Sequence, residues 1–155
     1  MADEKYKMLA DKHEWTPPVN FFFTVEFKDR IMNRTEIKAS FSEVTGLGWS
    51  ITIEKGGIIN RQTVHCTDLI LKRPLEPLTE EFTKWIEQCA SRKFKYGKYY
   101  RDIIIKLHDG ENNILATWSC INAYPQSYKI GDFNSMDGRI LMETIELSYD
   151  RLERK

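Results

Sequence analysis

Alternation of apolar and polar residues predicts β-strands over most of the chain. The clearest example is VNFFFTVEF, residues 19–27, in which every second residue is apolar. Similar patterns recur at residues 37–41, 49–54, 63–73, 101–109, 114–121 and 139–152. About seven strands are therefore expected. The segment NAYPQSYKIGDFNSMDG, residues 122–138, is interpreted as a long loop from its turn-forming composition.

One segment instead has the period of an α-helix, and we predict a helix over residues 79–93. Its apolar residues fall on one stripe: Leu78, Phe82, Trp85, Ile86 and Cys89. Thr79 can cap the helix, acidic residues 80–81 lie in the first turn and basic residues 92–93 in the last, as the helix dipole favours. We expect Phe82, Trp85 and Ile86, together with Trp118 of a strand, to pack in the core. Lys84, Glu87 and Gln88 would face outward.

These elements predict a mainly β fold: a β-sandwich or partly open barrel of about seven strands with one flanking α-helix. Residues 1–18 are polar and end at two prolines, so they are interpreted as an N-terminal arm. Residues 19–155 would form a single β domain.

The composition disfavours several classes of function. The 155 residues carry 23 basic and 23 acidic side chains, so no net charge attracts nucleic acid or an anionic membrane. No apolar run is long enough to span a bilayer, and the N-terminus lacks the apolar core of a signal peptide. Three cysteines, Cys66, Cys89 and Cys120, are odd in number and widely spaced, which is typical of reduced thiols in cytoplasm.

The sequence contains little that indicates catalysis. His65, Cys66 and Asp68 come nearest to a metal cluster, but they lack a second ligand pair and are better explained as strand residues. Phosphate-binding loops, nucleophile elbows and dinucleotide-binding glycine motifs are absent. The acidic pairs 80–81 and 143/146 are explained by a helix start and a solvated strand face. We therefore expect no enzyme activity, no catalytic residue, no metal and no cofactor.

Two monomeric alternatives remain open at this point. One is a ligand-binding barrel of the lipocalin type, which requires an apolar interior cavity. The other is a barrel that binds single-stranded nucleic acid through a basic and aromatic segment, in which cations alternate with stacking rings. The residues of that segment are Lys93, Phe94, Lys95, Tyr96, Lys98, Tyr99 and Tyr100.

The order of short motifs resembles a known family. The motifs are Gly46-Leu47, Glu54 with Gly56-Gly57, Leu71-Lys72-Arg73, Trp85-Ile86, Asp109-Gly110, Trp118, Asn122-Ala123-Tyr124-Pro125, Glu146-Leu147 and Asp150-Arg151. Over residues 20–152 the chain resembles the tail-tube (inner tube) proteins of contractile phage tails and extracellular contractile injection systems. That family is related in fold to the haemolysin-coregulated tube protein of type VI secretion.

The resemblance implies a structural protein whose hexameric rings stack into a hollow tube. The implied partners are further copies of the chain, a sheath around the tube, spike and baseplate proteins, and effector cargo or DNA in the lumen, with no membrane segment. Assembly would occur in the bacterial cytoplasm, and the product would be a phage tail or an extracellular injection particle. Many members have a Pro-Gly turn where this chain has IINRQTVHCTD. A tube-initiator paralogue, which joins spike and baseplate to the tube, is therefore an alternative.

The interpretation as a hollow tube also predicts which way the side chains face in the stretch FSEVTGLGWSITIEKGG, residues 41–57. A sheet with unpaired edges can close by pairing with neighbouring copies, and the merged sheets then surround a channel. We hypothesise that Ser50, Thr52 and Glu54 face this lumen, and that Trp49, Ile51 and Ile53 face the subunit core. The predicted inter-ring contact is a turn made of Lys55, Gly56, Gly57, Ile58 and Asn60.

Overall fold

A computed structural model describes residues 22–29, 35–91 and 100–155. The predicted N-terminal arm, residues 19–21 of the first predicted strand, residues 92–93 at the end of the predicted helix and residues 93–99 of the basic, aromatic segment lie outside these residues. The strands are β1 (Phe22–Asp29), β2 (Thr35–Ala39), β3 (Glu43–Thr45), β4 (Trp49–Gly56), β5 (Ile59–Cys66), β6 (Leu69–Pro74), β7 (Arg101–His108), β8 (Ile114–Ile130), β9 (Met142–Ser148) and β10 (Arg151–Arg154). The helix α1 spans Glu81–Ala90.

The strands form one antiparallel sheet system and one separate hairpin. Seven strands pair in the order β2-β1-β7-β8-β9-β6-β3, and β10 pairs with β8 beside this path. In the part of the chain that is described, β2 and β3 end the path without pairing to each other, so the sheet is not closed. β4 and β5 pair with each other in a second, two-stranded sheet. The mainly β fold class is confirmed, with ten strands in the described residues rather than about seven.

β8 holds the two halves of the sheet system together. Its first half pairs with β7 and β10, and its second half pairs with β9. At the change of partner, Asn122 has a φ of 61°. Its N–H donates to Asp102 Oδ1 at 2.8 Å, and its side-chain amide donates to Asp150. The predicted loop is therefore wrong for residues 122–130: the strand continues there with a new pairing partner, and a bulge between Pro125 and Ser127 interrupts the alternation that would have revealed it.

The core lies between the sheet and α1, and alternating apolar residues of the strands are buried in it. Those are Val25, Phe27, Ile37, Leu69, Leu71, Ile103, Ile105, Cys120, Ile145 and Leu147. Phe82, Trp85 and Ile86 of α1 are buried against them, and Trp118 is partly buried at the margin. The ring centres of Phe27 and Phe82 are 4.8 Å apart, and those of Phe27 and Trp85 are 5.6 Å apart.

The start of α1 differs from the prediction. The N-cap is Glu80, whose carboxylate accepts a hydrogen bond from the Thr83 N–H at 2.8 Å. Thr79 is therefore not the cap, and Leu78 lies before the helix and is exposed. Lys84, Glu87 and Gln88 are exposed, as expected for the outer side of the helix. The Glu80 carboxylate also lies at the positive end of the helix dipole, where a negative charge is favourable.

Candidate assembly surface

A continuous two-stranded ribbon joins the sheet to the separate hairpin. Thr45 lies opposite Ile70, and Trp49 lies opposite Cys66, so three residues separate these pairs on both strands. The Thr67 N–H bridges the interval by donating to the Gly48 carbonyl at 3.0 Å. The register therefore passes from β3/β6 into β4/β5 without a slip. We call the outer part, residues 49–66, the exposed hairpin; its eight residue pairs extend about 25 Å.

The exposed hairpin has one apolar and one polar face, because residues opposite each other in an antiparallel pair share a face. Trp49 lies opposite Cys66, Ile51 opposite Val64 and Ile53 opposite Gln62. On the other face, polar residues meet polar residues: Ser50 and His65, Thr52 and Thr63, Glu54 and Arg61. The three predicted lumen residues therefore lie together on a single polar surface.

Both faces of the hairpin are open to solvent in the single chain. Trp49, Ile51, Ile53 and Val64 are between 43% and 58% exposed. The expectation that Trp49, Ile51 and Ile53 face the subunit core is therefore wrong. Alternation shows that a strand has an apolar face, but it does not show what covers that face. In the described residues β4 pairs with β5 alone. Exposed apolar surfaces of this kind commonly form interaction sites, and unpaired strand edges are open to pairing with another β-strand.

The tip of the hairpin is a two-residue turn between Gly56 and Ile59. Gly57 has a φ of 64°, which suits the first central position of a type II′ turn. The next residue, Ile58, is 103% exposed, and Ile59 is also exposed. Lys55 and Asn60 lie opposite each other just before the turn. The predicted inter-ring residues are therefore gathered at the extreme end of the ribbon, with isoleucine at its outermost point.

A compact joint connects the hairpin to the sheet. Gly46 has a φ of 91°, and a Cβ atom at this position would lie 2.0 Å from the carbonyl oxygen of Asp68. The hydroxyl of Tyr149 donates to the carbonyl oxygens of Gly46 and Gly48, each at 3.3 Å. Burial raises the pKa of Tyr149 to about 12, so the hydroxyl keeps its proton. These contacts hold the hairpin to β9 through a residue just beyond that strand.

A buried polar network fixes the other end of the ribbon. Arg73 Nε donates to Glu143 Oε1 at 2.5 Å, and Arg73 Nη2 donates to Glu80 Oε2 at 2.9 Å and Thr83 Oγ1 at 3.0 Å. Tyr128 donates to the second carboxylate oxygen of Glu143 at 2.6 Å. The interpretation of Glu143 as part of a solvated strand face is wrong, since its side chain is buried. It lies on the inward face because it alternates with Ile145 and Leu147.

The pKa shifts in this polar network reflect burial, hydrogen bonding and ion pairing. Burial acts to raise the pKa of Glu80, but hydrogen bonds from Arg73 and Thr83 outweigh it and lower that pKa below its usual value. Burial and the Glu143 carboxylate raise the pKa of Tyr128 to about 12. Arg73 also lies over the rings of Phe41 and Phe82, 5.2 and 4.9 Å from their centres. The network therefore connects β6, β8, β9 and α1.

The nearest approach to a metal cluster in the sequence, His65, Cys66 and Asp68, does not form a group of converging ligands. His65 and Cys66 point to opposite faces of β5, and the Cys66 thiol donates to the Asp150 carbonyl at 3.6 Å. No group of three potential metal-ligating side chains occurs among the residues that the structure describes. In the same residues, no helix is long and apolar enough to cross a membrane.

A second exposed apolar feature has no counterpart among the predictions from the sequence. The connection between β8 and β9, which we call the 131–141 loop, exposes Phe133, Met136 and Ile140 to between 73% and 92%. It curls around a depression of about 620 Å³. Three large apolar residues within a turn-rich segment were visible in the sequence, but they have no period and therefore gave no strand or helix signal.

Comparison with known proteins identifies related molecules. A family model described as T4-like virus tail tube protein gp19 matches residues 19–153. A chain in the cryo-EM structure of the anti-feeding prophage (AFP) baseplate is 20% identical, with a TM-score of 0.74, over 90% of this chain and 96% of that one. A chain in the sheath-tube complex of the extracellular contractile injection system PVC is 23% identical, with a TM-score of 0.69, over 95% and 96%.

The fold is also shared with a more distant protein. Hcp1 from Flavobacterium johnsoniae is 14% identical, with a TM-score of 0.50, over 86% of this chain and 94% of that one. No curated protein matches the sequence.

Proposed function

The chain belongs to the family of T4-like virus tail tube proteins, and we propose that it builds a hollow tube from rings of identical copies. It is a structural component of a phage tail or contractile injection particle. The finer proposal is that six copies of the domain spanning residues 19–155 close into a ring and that rings stack. The protein would have no enzymatic activity, because its surface features serve contact between chains rather than chemistry.

The observation that carries this proposal is the exposed hairpin. Its two strands pair with each other alone in the described residues, and its apolar face has no cover within the chain. A neighbouring copy can add strands at the open edges of the hairpin and can also cover its apolar face. Such a contact joins different surfaces of the two copies, and it closes into a ring when the rotation between them allows it.

The lumen assignment follows from the two faces of the same hairpin. If the apolar face with Ile51 and Ile53 packs against a neighbouring copy, the opposite face with Ser50, Thr52 and Glu54 turns toward the bore. Short polar side chains without deep apolar pockets would allow cargo to slide. Effector cargo or DNA in the lumen is therefore part of the proposal.

The remaining partners are proposed from the related structures. One neighbour in fold comes from a sheath-tube complex and another from a baseplate. By analogy, the outer side of α1, with Lys84, Glu87 and Gln88, would face a sheath, and the first ring would stand on a spike and baseplate. Assembly would take place in the bacterial cytoplasm. A tube-initiator role is the alternative within this class.

Oligomeric state tests the proposal directly. Size-exclusion chromatography and negative-stain microscopy of the purified chain should show rings or rods. Long rods would assign a main tube protein, and single rings would favour an initiator. A strictly monomeric sample at high concentration would contradict the proposal and favour a ligand- or nucleic-acid-binding barrel.

Two sets of variants test the roles of the hairpin faces. Ile51→Asp should abolish rings because it places a charge on the apolar face, whereas Glu111→Lys in the distant β7–β8 turn should leave them intact. Thr52→Trp and Glu54→Trp should permit rings but obstruct the bore and reduce cargo loading. Unchanged assembly and unchanged loading in both tryptophan variants would disprove the lumen assignment.

A further inference from the structure

We propose that the 131–141 loop is the site that receives the tip of the exposed hairpin from the next copy along the tube. This inference rests on the proposed function, since it requires copies to meet end to end. It assigns a specific occupant, the Gly57–Ile59 tip of an identical chain, to a depression at the other end of the molecule that is lined by both apolar and polar residues.

The first argument is the position of the two features. β6 begins at Leu69, next to the joint with the hairpin, and ends at Pro74. Directly beyond that end, the Leu75 N–H donates to the Leu141 carbonyl at 2.9 Å, within the 131–141 loop. Hairpin and loop therefore leave the sheet at opposite ends of the same strand. Copies that meet head to tail would bring tip and loop together, and the contact could repeat without limit.

The second argument is shape. The tip presents Ile58, fully exposed, with Ile59 beside it. The loop surrounds its depression with Phe133, Ile140 and Leu141 among other residues. Its outline is fixed by hydrogen bonds from the Gly131 N–H to the Met142 carbonyl at 2.9 Å and from the Met136 N–H to Asn134 Oδ1 at 3.0 Å. An apolar projection at one end thus corresponds to a depression at the other end whose lining includes apolar side chains.

The third argument is charge. At the tip, Glu54 lies opposite Arg61, which leaves Lys55 as the surplus charge. In the loop, Arg139 pairs with Asp137 at 3.1 Å, which leaves Asp132 as the surplus charge. Within the described residues, neither Lys55 nor Asp132 has an ion-pair partner in its own chain. The two surfaces are therefore complementary in sign as well as in shape, which favours this register over tip-to-tip or loop-to-loop contact.

Cross-linking between two differently tagged full-length chains tests the contact. Both chains carry Cys66→Ser and Cys89→Ala; Cys120 is buried and burial raises its pKa to about 12, so it stays unreactive. One chain then carries Ile58→Cys and the other Met136→Cys. A short bismaleimide should cross-link the two chains in the mixture. Samples that contain only one of the two chains should give the dimer product at background level. The matched control replaces Met136→Cys by Glu111→Cys, at the opposite end of β8, and should give no product.

The outcomes separate this inference from the proposed function. Rods without the 58–136 product would overturn the inference and leave the tube proposal standing, whereas a monomeric chain without product would overturn both. A third mixture pairs Met136→Cys with Ala10→Cys; a product there in place of the 58–136 product would assign the depression to the N-terminal segment and overturn the inference. As a second measurement, Lys55→Asp and Asp132→Lys should each raise the concentration needed for rods by roughly two- to fivefold. Combining the two substitutions in one chain should return the concentration needed for rods to its original value.

Discussion

The two halves of the long ribbon have the same register but opposite environments. In the inner half, β6 buries Leu69 and Leu71 in the core and holds Arg73 in a network of ion pairs. In the outer half, β4 and β5 are exposed on both faces. The alternation of apolar and polar residues is similar in both, so the pattern alone does not separate them. The inner half serves the stability of the chain, and the outer half is the part that we propose makes contact with other copies.

The strongest test of the inner half removes the buried carboxylate. Glu143→Ala should lower the free energy of unfolding by about 3–5 kcal/mol, because Arg73 would remain buried without its main partner. Urea unfolding of dilute monomer measures the loss. Glu146→Ala, on the other face of β9, should change the value by less than about 0.5 kcal/mol. Equal losses in the two variants would show that the ion pair does not stabilise this end of the ribbon.

Glu143 also shows where sequence reasoning reaches its limit. The strand around it was recognised from Ile145 and Leu147, and its place on their face was available from the same alternation. An acidic residue at that position was nevertheless assigned to solvent, because its partner Arg73 lies 70 residues away in the sequence. A buried charge is stable only when a partner of opposite charge lies beside it. The topology of the sheet brings Arg73 to Glu143, and the local sequence around Glu143 does not show this.

The hairpin illustrates the complementary limit. Its strand, its glycine turn and its two faces were all predictable from residues 49–57. The cover over Trp49, Ile51 and Ile53 was not, because a local pattern is the same whether an apolar face meets its own core or another chain. The family could be recognised because the order of several motifs is more specific than any one of them. β8 beyond Asn122 was not predicted, because the strand changes its pairing partner there and a bulge breaks its alternation.

A pair of matched truncations compares the two halves directly. Leu71→Ala should cost about 2–5 kcal/mol, because it opens a cavity in the core. Ile51→Ala should cost less than about 1 kcal/mol in dilute monomer, since it removes only cross-strand contacts. At concentrations that give rings the order should reverse, with Ile51→Ala the more damaging to assembly. Denaturant titration measures the free energy of unfolding, and size-exclusion chromatography measures ring assembly. If Ile51→Ala destabilised the monomer as much as Leu71→Ala, the comparison between the two halves would be contradicted.

The joint between the halves can be altered at a single glycine. Gly46→Ala should cost about 1–3 kcal/mol, because it combines a positive φ with a Cβ placed against the Asp68 carbonyl. Gly56→Ala is the control on the same ribbon, since a Cβ there meets nothing within 4 Å. If the joint sets the direction of the hairpin, Gly46→Ala should also disturb rings in chains that remain folded. Intact stability and intact rings would show that the joint tolerates a side chain.

The smallest expected effect concerns the hydroxyl that holds the joint. Tyr149→Phe keeps the buried ring but removes the donor to the Gly46 and Gly48 carbonyls, so we expect a loss of about 1 kcal/mol. Amide exchange at Thr67, whose N–H donates to the Gly48 carbonyl, should accelerate more than exchange in β6. Tyr124→Phe, on a half-buried ring, should leave both readings unchanged. Equal acceleration throughout β6 would mean that the hydroxyl stabilises the whole sheet, and the two halves would then open as one unit.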